Sequence, residues 1–278
     1  MRRRPDPAGP GLTVARGRLL VGTSGFSYPD WVPRFYPAAT RPSGFLRAYA
    51  ERLPALELNA TFRRRPTASA IAGWVRATPP EFRFATKAQR GSAFRALSGD
   101  PVESIDWLTE PLGHFGERLG AVLFRVPAEV RRDGPWVDRD PATADSRLAA
   151  FLNAWPRSIP LVVELQDQTW HVDETFAAMR RVGAVLCATE LPPEGEEGAT
   201  GEDAAAEGGT ESPIIRRTGP FLYLRLRRHD YSAAELDTWA ARIEPFLAAG
   251  DDVFAFFRHD AVGRAGELAL ELADRFER

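Results

Sequence analysis

Short apolar runs rich in β-branched and aromatic residues recur along the chain: Leu19–Thr23, Ala55–Asn59, Phe82–Lys87, Ala121–Val126, Leu161–Gln166, Ala184–Thr189, Phe221–Arg227 and Val253–Phe257. Most of the segments between them carry apolar residues at helical spacing instead. Strand-like runs alternating with helical ones, at about 25–40 residues per unit, are the signature of parallel βα units. Eight such runs predict an α/β protein built as a single (β/α)₈ TIM barrel. Start and stop signals place the helices. Ser43 precedes Phe45, Leu46, Tyr49 and Leu53 on one face, and Asp100, Pro101 and Glu103 read as a capping box with proline in the first turn. Asp173 is expected to cap a helix ending near Gly183, and Ser232 with Glu235 forms a second capping box before Leu236, Trp239 and Ile243. Pro245 is expected to kink that last helix.

One segment departs from the alternation. From Glu190 to Ser212 the chain reads ELPPEGEEGATGEDAAAEGGTES, and a stretch without an apolar face cannot offset its ordering entropy by burial. It predicts an acidic disordered insertion between strands six and seven, spanning 190–213 in place of the sixth helix. The resulting organisation is a disordered N-terminal tail over 1–17 and one barrel domain over 18–278.

Composition narrows the functional classes. Apolar residues make up 44% and charged ones 27% of the chain, which excludes a collagen-like or wholly disordered protein. The net charge of −2 excludes the global positive field that drives nonspecific binding to DNA phosphates. The positive charge is almost all arginine, and Lys87 is the sole lysine. The single cysteine, Cys187, lies in an apolar run and reads as core; no intrachain disulfide or multi-cysteine metal site can form. No stretch approaches the ~18 consecutive apolar residues of a membrane span, and no apolar run follows the basic N-terminus as in a signal peptide, so a cytoplasmic location without membrane attachment is expected.

Side chains alternate across a strand, so parity separates helix-facing from interior positions. In Phe221–Arg227 the leucines 222, 224 and 226 form one row, leaving Tyr223, Arg225 and Arg227 inward. The same argument turns Glu57 and Asn59 inward, and likewise Glu164 and Gln166, with Lys87 and Arg125 ending their strands beside them. This inner set holds four cations and two carboxylates. Either the carboxylates pair with the cations and brace the barrel, or the charges meet solvent and ligand at the C-terminal mouth, where barrel enzymes place their sites. The surplus positive charge points to an anionic small-molecule ligand.

Seven stretches carry a resemblance: GTSGFSYPDW at 22–31 with FYP at 35–37, ELNATF at 57–62, FRFATKA at 82–88, LGAVLFRVP at 119–127, VELQDQTW at 163–170, YLRL at 223–226 and FAFFRHDAVGRA at 254–265. Their order and spacing resemble the DUF72, or YecE-like, family of (β/α)₈-barrel proteins over nearly the whole chain. The resemblance implies the barrel and no particular activity. Against the family pattern, Arg125 stands where a glutamine is usual and Gln166 where an arginine is usual, an apparent exchange that keeps one guanidinium in the pocket from the opposite strand. A histidine expected after strand seven is displaced to His229.

The candidate chemistry follows from the inner set and the loops above it. Glu57 and Glu164 are the candidate general acid and base, since two carboxylates in unlike surroundings can hold different pKa values; pairing of each with an arginine would argue against glycoside chemistry. Lys87 is a candidate electrophile, phosphate ligand or Schiff-base amine, with anion binding preferred. Ser24, Tyr28 and Trp31 of the first loop, together with Asn59, Arg125, Gln166 and Trp170, are candidate substrate contacts. So are Arg225, Arg227, His229, His259 and Asp260 around the last two strands, beside Gly263 and Gly266, a corner that binds phosphate in many barrels. No cofactor is expected. A divalent metal held by His229, His259 and Asp260 with Glu57 or Glu164 is a secondary alternative, because no local ligand spacing supports it. The leading reading is an enzyme acting on a phosphorylated or carboxylated small molecule by acid–base or hydrolytic chemistry. The alternatives are a nucleic-acid-binding or processing protein using a rim of arginines (Arg63, Arg64, Arg65, Arg90, Arg131, Arg132, Arg216, Arg217), and a ligand-binding barrel without turnover.

Overall fold

The apolar runs become eight parallel strands that close on one another in chain order: β1 (Leu19–Ser24), β2 (Ala55–Leu58), β3 (Arg83–Lys87), β4 (Leu119–Val126), β5 (Leu161–Leu165), β6 (Val185–Glu190), β7 (Phe221–Leu226) and β8 (Asp252–Arg258). The computed structural model describes residues 15–137, 141–191 and 213–277. Its strand ends lie within two residues of those expected from the sequence. The ring closes through β1 against β8, with Leu19 opposite Val253 and Ser24 opposite Arg258. Around it lie α1 (Phe45–Ala50), α2 (Ala60–Arg63), α3 (Ala68–Arg76), α4 (Arg90–Ser98), α5 (Pro101–Thr109), α6 (Ala144–Ala154), α7 (Asp173–Val182), α8 (Ala233–Ala248) and α9 (Arg264–Ala273). The chain is thus a (β/α)₈ TIM barrel. Among the described residues no helix is long and apolar enough to cross a membrane.

Helix signals were read correctly where the side chain had a backbone partner within reach. Ser232 and Glu235 close the capping box of α8. Asp100 caps α5 by accepting from the Val102 N–H at 2.9 Å, a single cap and not a reciprocal box. Ser43 instead lies inside a 3-10 turn, Pro42–Gly44, and α1 begins at Phe45 without a side-chain cap. Asp173 is the first residue of α7 and does not cap it; the helix ends at Gly183, whose φ of 74° is left-handed as a glycine stop requires. Pro245 sits in the last turn of α8, which continues to Ala248.

Two expected boundaries shift. Glu190 closes β6 in place of opening the acidic insertion: its carboxylate accepts from the Tyr231 hydroxyl at 2.5 Å and the Trp239 indole at 3.2 Å. Burial pushes this carboxyl up from its ordinary value, with the Tyr231 hydrogen bond opposing. Residues 192–212, most of the insertion, lie outside the described residues, as do 1–14 of the N-terminal tail. Arg16 and Gly17, placed in that tail, are attached to the barrel: Gly17 N–H donates to Leu247 O at 2.8 Å and Arg16 pairs with Glu244.

Strand parity sorts the core into two layers, as alternation demands. Leu56, Leu58, Val163, Leu222, Leu224 and Leu226 pack outward against the helices. Leu20, Ala55, Ala85, Val162, Tyr223, Phe254 and Phe256 fill the barrel itself. Close packing explains two glycines by the strands seven–eight corner that the sequence reading grouped with phosphate binding. A Cβ on Gly266 would fall 2.3 Å from the Phe35 ring, and one on Gly263 would sit 3.1 Å from Phe35 and 3.3 Å from Trp31. Gly73 in α3 has open space around it. Gly266→Ala is therefore expected to cost about 1–3 kcal/mol of overpacking and lower the melting temperature by several degrees. Gly73→Ala should leave it unchanged or raise it, by about 0.5–1 kcal/mol of helix propensity. Thermal melts followed by circular dichroism check the pair; equal melting of both variants would contradict the packing argument.

Candidate active site at the barrel mouth

Above the apolar filling, the inner positions turn polar. Arg225 of β7, 1% exposed, reaches across the interior and bridges two carboxylates. It donates to both oxygens of Glu164 at 2.8 and 3.0 Å, and through its other terminal nitrogen to Glu57 at 3.1 Å. Glu57 also accepts from the Tyr223 hydroxyl and from Ser24, each at 2.7 Å. Glu164 accepts from Thr189 at 2.6 Å and lies 3.6 Å from Arg125 Nε. Asn59 donates to the Ser24 carbonyl at 3.0 Å and accepts from the Ser24 hydroxyl at 3.1 Å. Thr189 is the partner that the sequence reading missed; it shares the inward parity of Cys187, two residues earlier, which would have identified it.

Burial by itself would raise both carboxyls, and the surrounding charges reverse this. Glu57 is held below its ordinary value chiefly by Arg225, then by Lys87, the Ser24 hydroxyl and Arg227. Glu164 is held at about 2 by Arg225 and Arg125 with the Thr189 hydrogen bond. Both are therefore ionised at neutral pH, and neither is poised to give up a proton as a general acid. Each is engaged by Arg225, the arrangement that argues against a glycosidase pair. Burial and the nearby carboxylates push the opposite way on their neighbours: the Tyr223 hydroxyl and the Cys187 thiol are both raised well above their ordinary values.

Beside this network opens a cleft of about 1090 Å³ above β3, β4 and β5. Lys87 and Arg125 stand at its floor and Arg63, Arg90 and Arg95 at its rim, against one carboxylate among the described residues, Glu129. Lys87 is 5% exposed, with Nζ 5.3 Å from the centroid of the Phe62 ring. Phe94 and Trp136, whose ring centroids lie 6.1 Å apart, supply an aromatic wall. Gln166 lines the same cleft, from the strand next to that of Arg125 and not the opposite one. The rim arginines come from α2 and α4; the aromatic wall was not foreseen, because Phe94 and Trp136 sit in segments without strand parity.

Other candidates have structural employment. Trp31 and Trp170 are fully buried, their indoles donating to the carbonyls of Asp260 and Val130. The Asp260 carboxylate accepts from the N–H groups of Val262, Gly263, Arg264 and Ala265 at 2.5–3.1 Å, so it caps α9 and occupies the corner proposed for phosphate. His259 stacks on Tyr28 at 5.1 Å, and His229 is exposed. Among the described residues no three His, Cys, Asp or Glu come together as a metal site. A second cavity, of about 690 Å³, lies at the opposite end of the barrel and includes Arg18, Arg83 and Arg157.

Comparison with known proteins agrees with the architecture. The sequence profile of the family "Protein of unknown function DUF72" matches residues 20–278. The UPF0759 protein YunF of Bacillus subtilis (strain 168) is 25% identical over 284 residues, covering 92% of this chain and 95% of that protein. The crystal structure of a DUF72 family protein (TM1631) from Thermotoga maritima MSB8 superposes with a TM-score of 0.73 at 24% identity, covering 94% of this chain and all of that one. A second, EF0366 from Enterococcus faecalis V583, gives 0.65 at 17% identity, covering 94% and 98%.

The buried network generates two predictions. Arg225→Met leaves two buried carboxylates undercompensated and should cost on the order of 3–5 kcal/mol. Adding Glu57→Gln and Glu164→Gln to it should recover stability; a triple variant no better than the single one in urea unfolding would show that charge balance is not the issue. Second, the Glu164 carboxyl is held below its ordinary 4.5, at about 2, so its contribution to stability is complete above that ordinary value and is lost as pH falls through the window between them. The stability gap between the wild type and Glu164→Gln should therefore narrow by on the order of 3 kcal/mol from pH 5 to pH 2; a constant gap in denaturant titrations would count against it.

Proposed function

The chain belongs to the DUF72 family, and from that premise we propose that it seats a phosphorylated or carboxylated small molecule in the mouth cleft and acts on it there. The observation that carries this reading is the charge of the cleft: among the described residues five cations and one carboxylate line it, on a chain whose net charge is −2. A local concentration of positive charge over low-dielectric walls focuses the field and draws anions in. The volume suits a small molecule of moderate size.

Roles follow from position. Lys87 and Arg125 on the floor meet the anionic group, and the exposed Arg63, Arg90 and Arg95 attract it and hold its far end. Glu57 and Glu164 act as fixed charges that lock Arg225 and orient the floor. Among the groups in contact with the ligand, Lys87 is the one suited to proton transfer or nucleophilic chemistry.

Isothermal titration calorimetry with phosphate, citrate and oxalate tests the reading. At least one of these should bind to the wild type. Arg90→Ala and Arg95→Ala, which leave the buried network intact, should each weaken binding about threefold to tenfold without moving the unfolding midpoint. Arg125→Gln should cost more, on the order of tenfold to a hundredfold, the worth of a charge-assisted hydrogen bond. Absence of binding by all three anions, or tight salt-dependent binding of single-stranded nucleic acid in their place, would overturn it.

A further inference from the structure

The chain contains 36 lysines and arginines, and position 87 alone is lysine. Arginine is the better residue for holding a carboxylate or phosphate by charge and geometry, since its planar fork donates two parallel hydrogen bonds. The chain uses it everywhere else, including Arg125, Arg225 and Arg227 in the same mouth. What a primary amine offers and a guanidinium does not is a nitrogen able to attack a carbonyl carbon. A desolvated setting favours such an amine, and Lys87 has one, with the Glu57 carboxylate as its opposite charge. Its side chain is buried at the cleft floor against the Phe62 ring, and Arg125 projects into the same cleft from the adjacent strand.

We propose that Lys87 Nζ forms an imine with the carbonyl carbon of a small 2-oxo acid whose carboxylate is held by Arg125. The spacing favours a short ligand. Lys87 is in register with Leu123, two residues before Arg125, so the two Cα atoms stand about 8 Å apart by strand geometry. Two long side chains that converge from there can grip a carboxylate and the carbonyl carbon bonded directly to it. The step balances without a further reagent: the ammonium and the ketone give a protonated imine and one water, the carbonyl oxygen leaving with two of the three ammonium hydrogens. The product keeps the positive charge that Glu57 faces. This inference rests on the anion reading of the cleft and adds the reacting atom and the substrate class to it.

The lysine count makes the test direct. Full-length protein is incubated with pyruvate, or with 2-oxoglutarate, in the presence of sodium borohydride, and adducts are located by peptide mass spectrometry. The N-terminal amine serves as the internal background. The reduced adduct is expected on Lys87 at ten times or more the level at the N-terminus, saturating with ligand and suppressed by oxalate. Lys87→Arg should abolish it while holding oxalate affinity within about threefold, and Lys87→Met should lose both; thermal melts of each variant identify any that has not folded. Wild-type protein that binds oxalate in the calorimeter but gives no Lys87 adduct with either oxo acid overturns the imine and leaves the anion site standing. Failure of oxalate, phosphate and citrate to bind removes both.

Discussion

The mouth of this barrel is organised by one guanidinium placed between two carboxylates. Glu57 and Glu164 come from β2 and β5, and Arg225 from β7 is bonded to both. One cation cannot neutralise two buried anions, and leaving a carboxylate uncompensated costs several kcal/mol. Arg125 lowers the remaining charge at Glu164, as Lys87 and Arg227 do at Glu57. The compensation overshoots, because four cations now surround two anions. The interior is therefore balanced only where the carboxylates are, and the surplus positive charge lies on the side of the cleft.

The barrel is divided along its axis by the same logic. Toward the N-terminal end the interior holds Phe221, Tyr223, Phe254 and Phe256, whose rings pack at centroid distances of 5.3–6.1 Å. Tyr223 joins the two halves, its ring in the aromatic filling and its hydroxyl on Glu57. A carboxylate fixed by a tyrosine, a serine and an arginine has little freedom to reorient. The charged floor is therefore set by the fold itself, the condition under which fixed dipoles and charges would act most strongly on the proposed ligand.

Strand parity made the charged members of the inner set legible from residue order, though not Thr189, because alternation is a local property of the backbone and the strands are short and unbroken. Leu222, Leu224 and Leu226 alone determined which way Arg225 faces. What parity does not reveal is partnership. Nothing in the order of residues says that a single arginine holds both carboxylates, since Arg225 is 168 and 61 residues from them. The loops were read less well for the same reason. Trp31, Trp170 and Asp260 look like site residues in a list of polar and aromatic types, yet their polar atoms are consumed by carbonyls or helix N–H groups that only the folded chain brings near. Ser43 and Asp173 failed as caps because the chain enters α1 through a 3-10 turn and places Asp173 one residue inside α7, so neither side chain reaches an orphan N–H.

The fate of Asp260 limits where the proposed anion could be held. The N-terminus of a helix following the last strand offers unpaired N–H groups and the positive end of a dipole, and such a corner attracts anions. Here the chain supplies its own anion: Asp260 takes four of those N–H groups, while Trp31 and Phe35 crowd Gly263 and Gly266 so closely that even a methyl group there would strain the packing. The corner is spent on closing the barrel. The cationic side chains of the cleft are concentrated elsewhere on the ring, on β3, β4 and the helices that follow β2 and β3, and the proposed anion would be held there. A site built from long cationic side chains over a rigid charged floor differs from a backbone phosphate cradle in kind. On the proposed reading its rim would adapt to the outline of the anion, and its selectivity would be set at the floor, by what Lys87 and Arg125 can reach.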